Sequence, residues 1–232
     1  MQLNNSAAKI KISICTVLLL AAVTVQSVPI VVAQECVEIA VNGTLMRGLE
    51  LEPNLVNLGS TFIREDRTMP EYRLYSINDV HPGMVRVPDN ATNGVSVAVE
   101  IWCVPADGIA VLLGKEPPGL SIGKARLSDN STVLGVIAEP ALVVGMKDIS
   151  NFDGSWRQYI AETGMQLIDN ATQTSNLTQT QLTAIQQLRT EGEALAQNDQ
   201  LRGAIDSLNT AVKMLGLKDR LYLNIPLDYA AP

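Results

Sequence analysis

Basic charge is what this sequence most plainly lacks. Its 232 residues carry 17 lysines and arginines against 24 acids, a formal charge of −7. Residues 1–33 hold two lysines and no acid, so a chain without them would carry −9. Nucleic acid needs a basic footprint, and none is present. Histidine is almost missing as well: His81 is the only one, and with Cys36 and Cys103, the two cysteines outside residues 1–33, it makes a poor zinc site. No phosphate-cradling glycine loop appears, so neither a metal nor a nucleotide cofactor is implied. After residue 33 there is no second apolar run long enough to span a bilayer, which takes roughly 20 residues.

What is present begins with an export pattern. Lys9 and Lys11 precede an apolar run from Ile12 to Val25, and Val31-Val32-Ala33 offers small residues for cleavage. The expectation is a signal peptide over residues 1–33 and a secreted product, periplasmic if the source is bacterial. An uncleaved membrane anchor is the alternative, although Gln26, Ser27 and Pro29 interrupt the run. Cys15 leaves with such a signal, and Cys36 and Cys103 remain as an even pair. In an exported chain they are expected to form a disulfide; two small buried apolar residues on strands is the other reading. Asn-x-Ser/Thr acceptors occur at Asn42, Asn90, Asn130, Asn170 and Asn176, an excess that favours a secretory route.

Local patterns fill in residues 34–163. "VEIAV" over residues 37–41 alternates as a strand and runs straight into Asn42-Gly43. Leu55, Leu58 and Phe62 sit near helical spacing, with Gly59 as a stop. Residues 68–77 and 84–87 read as strands, and "GVSVAVEIWCVP" is the clearest strand of all. Pro105-Ala106-Asp107 opens a short helix over Ile109 to Leu113. Residues 119–140 read as a hairpin with its tip at Ser128-Asp129-Asn130. Short strands, two short helices and no repeated βαβ unit point to an α+β, barrel-like domain. Trp156 and Tyr159 are expected to cover one end of its core.

Residues 164–181 are expected to form a polar linker, since Asp169 to Gln181 is rich in Asn, Thr, Ser and Gln. Leu182, Ile185, Leu188 and Leu195, then Leu201, Ile205, Leu208, Val212 and Leu215, fit two amphipathic helices over residues 182–216. Asn198-Asp199 breaks them into a hairpin, and residues 217–232 are a tail. The apolar face of the hairpin must be buried on its own domain, on a second copy or on a partner. The oligomeric state is not legible here.

The run "RTMPEYRLYSI…HPGMVRV…VAVEIWCVP…PPGLSIGKARLSDNSTVLGVIAEP…DISNFDGSWRQYI" resembles the C-terminal domain of allophanate hydrolase. The resemblance extends over Val37 to Ala161. It implies a gamma-glutamylcyclotransferase-like fold, a small mixed β-barrel whose first strand ends in a Tyr-Gly-Thr/Ser-Leu loop. "VNGTLMRG" matches that loop at Gly43, Thr44 and Leu45, with Asn42 in the place of tyrosine. A glycine there lets backbone approach a ligand closely, and successive N–H groups can hold a carboxylate or oxyanion. An ordinary turn at the end of a strand, with Asn42 glycosylated on its surface, is the competing reading.

Arg73, Tyr75 and Arg86 fall in the matching segments, where arginines suit a carboxylate ligand; surface ion pairs are the alternative. Cyclotransferase chemistry needs a carboxylate base. Glu116 follows the short helix roughly where cyclotransferases carry theirs, and Glu139 matches a glutamate of the allophanate-type pattern. Glu100 alternates away from the apolar set of its strand and is expected to face outward. The family also implies a histidine general base for decarboxylating N-carboxycarbamate, for which His81 is the candidate. The large amidase domain that performs allophanate hydrolysis has no counterpart in these 232 residues. The function implied is a stand-alone, exported domain binding a small carboxylate or amide metabolite, with lyase or cyclotransferase activity. The alternative is a non-catalytic binding or assembly module that works through the helical hairpin. Membrane association would come only from an uncleaved residue 1–33 segment.

Overall fold

The computed structural model describes residues 36–217. The expected signal peptide and nearly all of the C-terminal tail lie outside the described residues.

The strands fall into two sheets. Strand β1 (Cys36–Val41) is central in a five-stranded sheet, antiparallel to β5 (Ala98–Pro105) and parallel to β7 (Thr132–Ala138). Strand β2 (Thr61–Arg67) pairs outside β5, and β6 (Leu120–Arg126) outside β7, giving the order β2-β5-β1-β7-β6. A second sheet has the order β4-β3-β8, from β3 (Tyr72–Ile77), β4 (His81–Arg86) and the two-residue β8 (Lys147–Asp148). The disulfide Cys36–Cys103 staples β1 to β5 across 67 residues of chain, a constraint worth about 2–4 kcal/mol.

These sheets do not close into the barrel that the resemblance implied. The edges β2 and β6 meet at one isolated bridge, Thr68 to Leu127, and the sheets stay separate in their pairing. Strand β2 ends at Arg67, and Pro70, with no N–H to donate, follows before β3 begins in the other sheet. The architecture is mixed α+β with open sheets.

Two short helices, α1 (Glu52–Val56) and α2 (Gly108–Lys115), precede and follow the β2 to β5 stretch. Three longer ones complete the chain. Helix α3 (Trp156–Thr174) starts on Ser155, whose side chain accepts from Gln158 N. Helix α4 (Gln179–Gln197) starts on a Thr178–Gln181 capping box, and α5 (Leu201–Met214) returns against both. The segment expected as a linker is thus helix as far as Thr174. Its polar composition hides buried Gly164 and Ile168, which continue the buried stripe begun by Ile160 and Ala161. Arg189 of α4 also pairs with Asp169 of α3 at 3.0 Å.

The hairpin packs on its own domain. Ala204, Ile205, Leu208, Ala211 and Val212 of α5 are buried, and all but Ala204 belong to the same apolar core as Ile39, Ile101 and Leu74 of the sheets. At Gly192 of α4 a side chain would come within 2.7 Å of Leu208, so the two helices approach closely there. Among the described residues, no helix is long and apolar enough to cross a membrane.

Candidate active site cleft

The loop after β1 is shaped by packing. The Asn42 side chain turns inward, 4% exposed, and its Nδ2 donates to the Val136 carbonyl at 2.9 Å. Gly43 lies under the Pro82 ring, where an added Cβ would sit 2.5 Å from Pro82 Cδ. Glycine is needed here for a close approach of protein to protein. Met46 N donates to Gly43 O and Leu51 N to Thr44 O, both at 2.9 Å, which folds the loop back. The N–H groups of Gly43, Thr44 and Leu45 make no hydrogen bond to a protein acceptor among the described residues.

The same loop borders a small cleft with His81, Pro82, Glu116, Leu120 and Val136. Its volume of about 20 Å³ admits roughly one water molecule. Glu116 ends α2 in an extended conformation, which Pro117 enforces. Burial pushes its carboxyl up to about 7, with no cation contributing. His81 opens β4 just beyond a turn in which Asn78 and Asp79 have φ of 52° and 58°. That turn is held by Tyr159, whose hydroxyl donates to Asp79 Oδ1 at 2.5 Å. His81 is 8% exposed, and burial lowers its pKa. Its Nδ1 lies 3.0 Å from the Pro82 carbonyl, which can only accept, so Nδ1 carries the proton. The structure therefore draws together Gly43, Thr44, Leu45, His81 and Glu116 from three separate parts of the chain.

Behind the loop lies a buried charge cluster that sequence reasoning missed. Glu100 is fully buried, contrary to the outward orientation expected of it. Strand β5 is covered on both faces, so alternation along it does not separate inside from outside. Glu100 Oε1 accepts from Arg47 Nε at 3.1 Å and Arg157 Nη2 at 2.9 Å. Its Oε2 accepts from Arg47 N at 2.9 Å and Trp102 Nε1 at 3.2 Å. Arg157 Nη2 also donates to the Arg47 carbonyl at 2.6 Å, so the exit of the loop is held at both backbone groups. Burial alone would push the Glu100 carboxyl up; Arg157, the Arg47 amide and the Arg47 guanidinium outweigh it and hold the pKa below the usual range. The sequence signals were Arg47 inside the loop motif and Arg157 beside Trp156.

Other candidates lie elsewhere. Glu139 is exposed just past β7, its N–H bonded to the Gly119 carbonyl at 2.8 Å. Arg73 pairs with Asp148 and donates to the Asn93 carbonyl at 2.8 Å. Tyr75 shares its face of β3 and is half-buried. Arg86 is exposed and pairs with Glu71 at 3.5 Å and Asp89 at 3.0 Å. None of these four borders the cleft. Asn90, Asn130, Asn170 and Asn176 are all exposed, whereas the Asn42 amide is engaged inside. Among the described residues, no group of three or more His, Cys, Asp or Glu could hold a metal ion.

Comparison with known proteins places the chain. Urea amidolyases of Lachancea kluyveri and Saccharomyces cerevisiae are each 26% identical to it, over 138 and 129 residues. Those matches take 57% and 53% of this chain, which spans only 7% of either relative. Among solved structures, a uropathogenic E. coli-specific protein is 55% identical with a TM-score of 0.50, over 53% of this chain and 94% of its own. Kluyveromyces lactis allophanate hydrolase is 29% identical with a TM-score of 0.52, over 55% of this chain and 21% of that one. Residues 37–161, more than half of the sequence, match the allophanate hydrolase C-terminal domain family, and the chain belongs to that family.

Proposed function

We propose that the cleft at Gly43 to Leu45 binds the carboxylate or amide group of a small metabolite, with Glu116 as proton acceptor in lyase or gamma-glutamylcyclotransferase-type chemistry. One observation carries this reading: three unengaged backbone amides border the same cleft as a carboxyl poised at about 7. A carboxylate of that pKa takes a proton from an attacking amine at neutral pH and returns it to the leaving group. The amides stabilise the negative charge that develops on the carbonyl oxygen. His81, held neutral by burial, is the second proton acceptor at the cleft. Relatives named urea amidolyase and allophanate hydrolase support small amides as the ligand class. Work outside the cytoplasm is supported by the Cys36–Cys103 disulfide and by four exposed glycan acceptors.

The test is turnover of gamma-glutamyl-amines and of carbamoylated or N-carboxylated amides. Glu116→Gln is expected to cut turnover about 10²- to 10⁴-fold while the fold is kept. Activity that survives Glu116→Gln, Glu139→Gln and His81→Ala alike would remove the catalytic assignment. A binding module without turnover is favoured by one feature, the volume of about 20 Å³, which a metabolite must widen to enter. Under that reading neither substrate class reacts, and Glu116→Gln binds ligand as the natural protein does.

A further inference from the structure

A second and much larger cavity, of about 670 Å³, opens between β2, β5, the start of α3 and the α4–α5 turn. Its size is that of small-molecule sites. It shares no lining residue with the Glu116 cleft. One wall, Asp199 to Gly203, lies beyond residue 161, where the family match ends.

Most charges in this cavity are already engaged. Glu65 pairs with Arg47 at 2.6 Å, Asp66 with Arg64 at 2.9 Å and Asp153 with Arg67 at 2.9 Å. Arg157 is taken by Glu100 at 2.9 Å. Two exposed lining side chains of opposite sign are left over: Asp199 and Arg202 make no ion pair or side-chain hydrogen bond among the described residues. Asp199 sits in the turn at φ 57°, and Arg202 is in the first turn of the 14-residue α5. That helix has no side-chain cap, and its first bond runs from Ala204 N to Gln200 O at 3.0 Å. The amides of Leu201, Arg202 and Gly203 therefore add three donors beside the guanidinium.

We propose that this cavity binds a small zwitterion of amino-acid to dipeptide size. Arg202 and the first-turn amides of α5 take its carboxylate, and Asp199 takes its ammonium. A simple anion would leave Asp199 unanswered beside it, and a simple cation would leave Arg202 so; a ligand carrying both charges uses both. The proposal does not rest on the chemistry assigned to the Glu116 cleft.

The test titrates the full-length protein with glycylglycine, N-acetylglycylglycine and glycylglycinamide, followed by backbone amide resonances. Glycylglycine is expected to bind about tenfold more tightly than either singly charged analogue, the size of one charge-assisted contact. Arg202→Ala should cost glycylglycine and the acetylated analogue about tenfold and leave the amide analogue unchanged. Asp199→Asn should weaken glycylglycine and the amide analogue and spare the acetylated one. Both positions are exposed, and asparagine tolerates the positive φ of Asp199, so both variants should fold. Resonance shifts should centre on residues 199–203. Equal affinity for the three probes, no binding up to about 10 mM, silence of both variants, or shifts centred on Gly43 to Leu45 would each overturn the proposal.

Discussion

Glu100, fully buried, and Glu116, half-buried at the edge of its cleft, are two carboxyl groups of one domain that lose hydration, and they are driven in opposite directions. At Glu100 two guanidiniums, a backbone amide and an indole N–H fill the carboxylate's acceptor sites, and its pKa falls. At Glu116 the walls are Leu120, Val136, Pro82, the neutral His81 and the Gly43 loop, no cation offsets the lost hydration, and the pKa rises to about 7. Burial is common to both; the partner decides the outcome. A paired carboxylate acts as a rivet, and an unpaired one is kept reactive at the expense of stability. The two are joined through one loop, since Arg47 holds its exit and Gly43 to Leu45 border the Glu116 cleft.

The strongest way to break the contrast is Glu100→Gln, which leaves Arg157 and Arg47 without their counter-charge. Chemical denaturation should register a loss of about 3–5 kcal/mol, the usual cost of removing one partner from a buried pair. A loss no larger than that of exposed Glu65→Gln would mean that the cluster does not hold the fold.

Next in size comes the dependence on pH, which has opposite signs at the two glutamates. Folded Glu116 keeps its proton up to about 7, against 4.5 for an unperturbed glutamate. The folded state therefore binds the extra proton between those values, and the stability it contributes is full below 4.5 and lost as pH rises through about 7. That loss is on the order of 2 kcal/mol between pH 5 and 8, and Glu116→Gln should abolish it in denaturation curves. The stability contributed by Glu100 runs the other way, present above 4.5 and lost as acid protonates it through its lowered pKa.

A smaller perturbation would make one glutamate resemble the other. Leu120→Lys places a cation at the cleft, and NMR titration should find the Glu116 pKa lower by about one unit, roughly 1.4 kcal/mol. No movement would mean that the lysine escapes to solvent and the cleft is more open than its walls imply. The least effect is expected from Trp102→Phe, which deletes a single donor to Glu100 and should cost about 1 kcal/mol.

Several elements were legible because local chemistry decides them. The alternation of residues 37–41 and 97–103, the turn at Ser128 to Asn130 and the break at Asn198-Asp199 all became structure at those places. The cysteine pairing followed from counting. Strand β2 was not foreseen, because Arg64, Glu65, Asp66 and Arg67 form an edge held by ion pairs rather than by an apolar pattern. Glu100 was misread because alternation presumes one solvated face, and β5 has none. Closure of the sheets is a property of long-range edges, and one bridge between Thr68 and Leu127 leaves no periodic mark. Of the site, the loop, His81 and Glu116 could be named in sequence from a resemblance, but their meeting depends on Pro82 packing over Gly43.

Helix α3 passes without interruption from Trp156 to Thr174, across residue 161, where the match to the family ends. For the exchange of parts between family members, the seam of similarity is therefore not a seam of structure. A cut at residue 161 would sever a helix in its second turn and part Ile168 from the core shared with α5. The transferable cassette is α3 to α5 taken whole, entered at Ser155, where the chain is extended and the helix cap begins. Swapped at that point into a relative, it would carry the Asp199 to Gly203 wall with it.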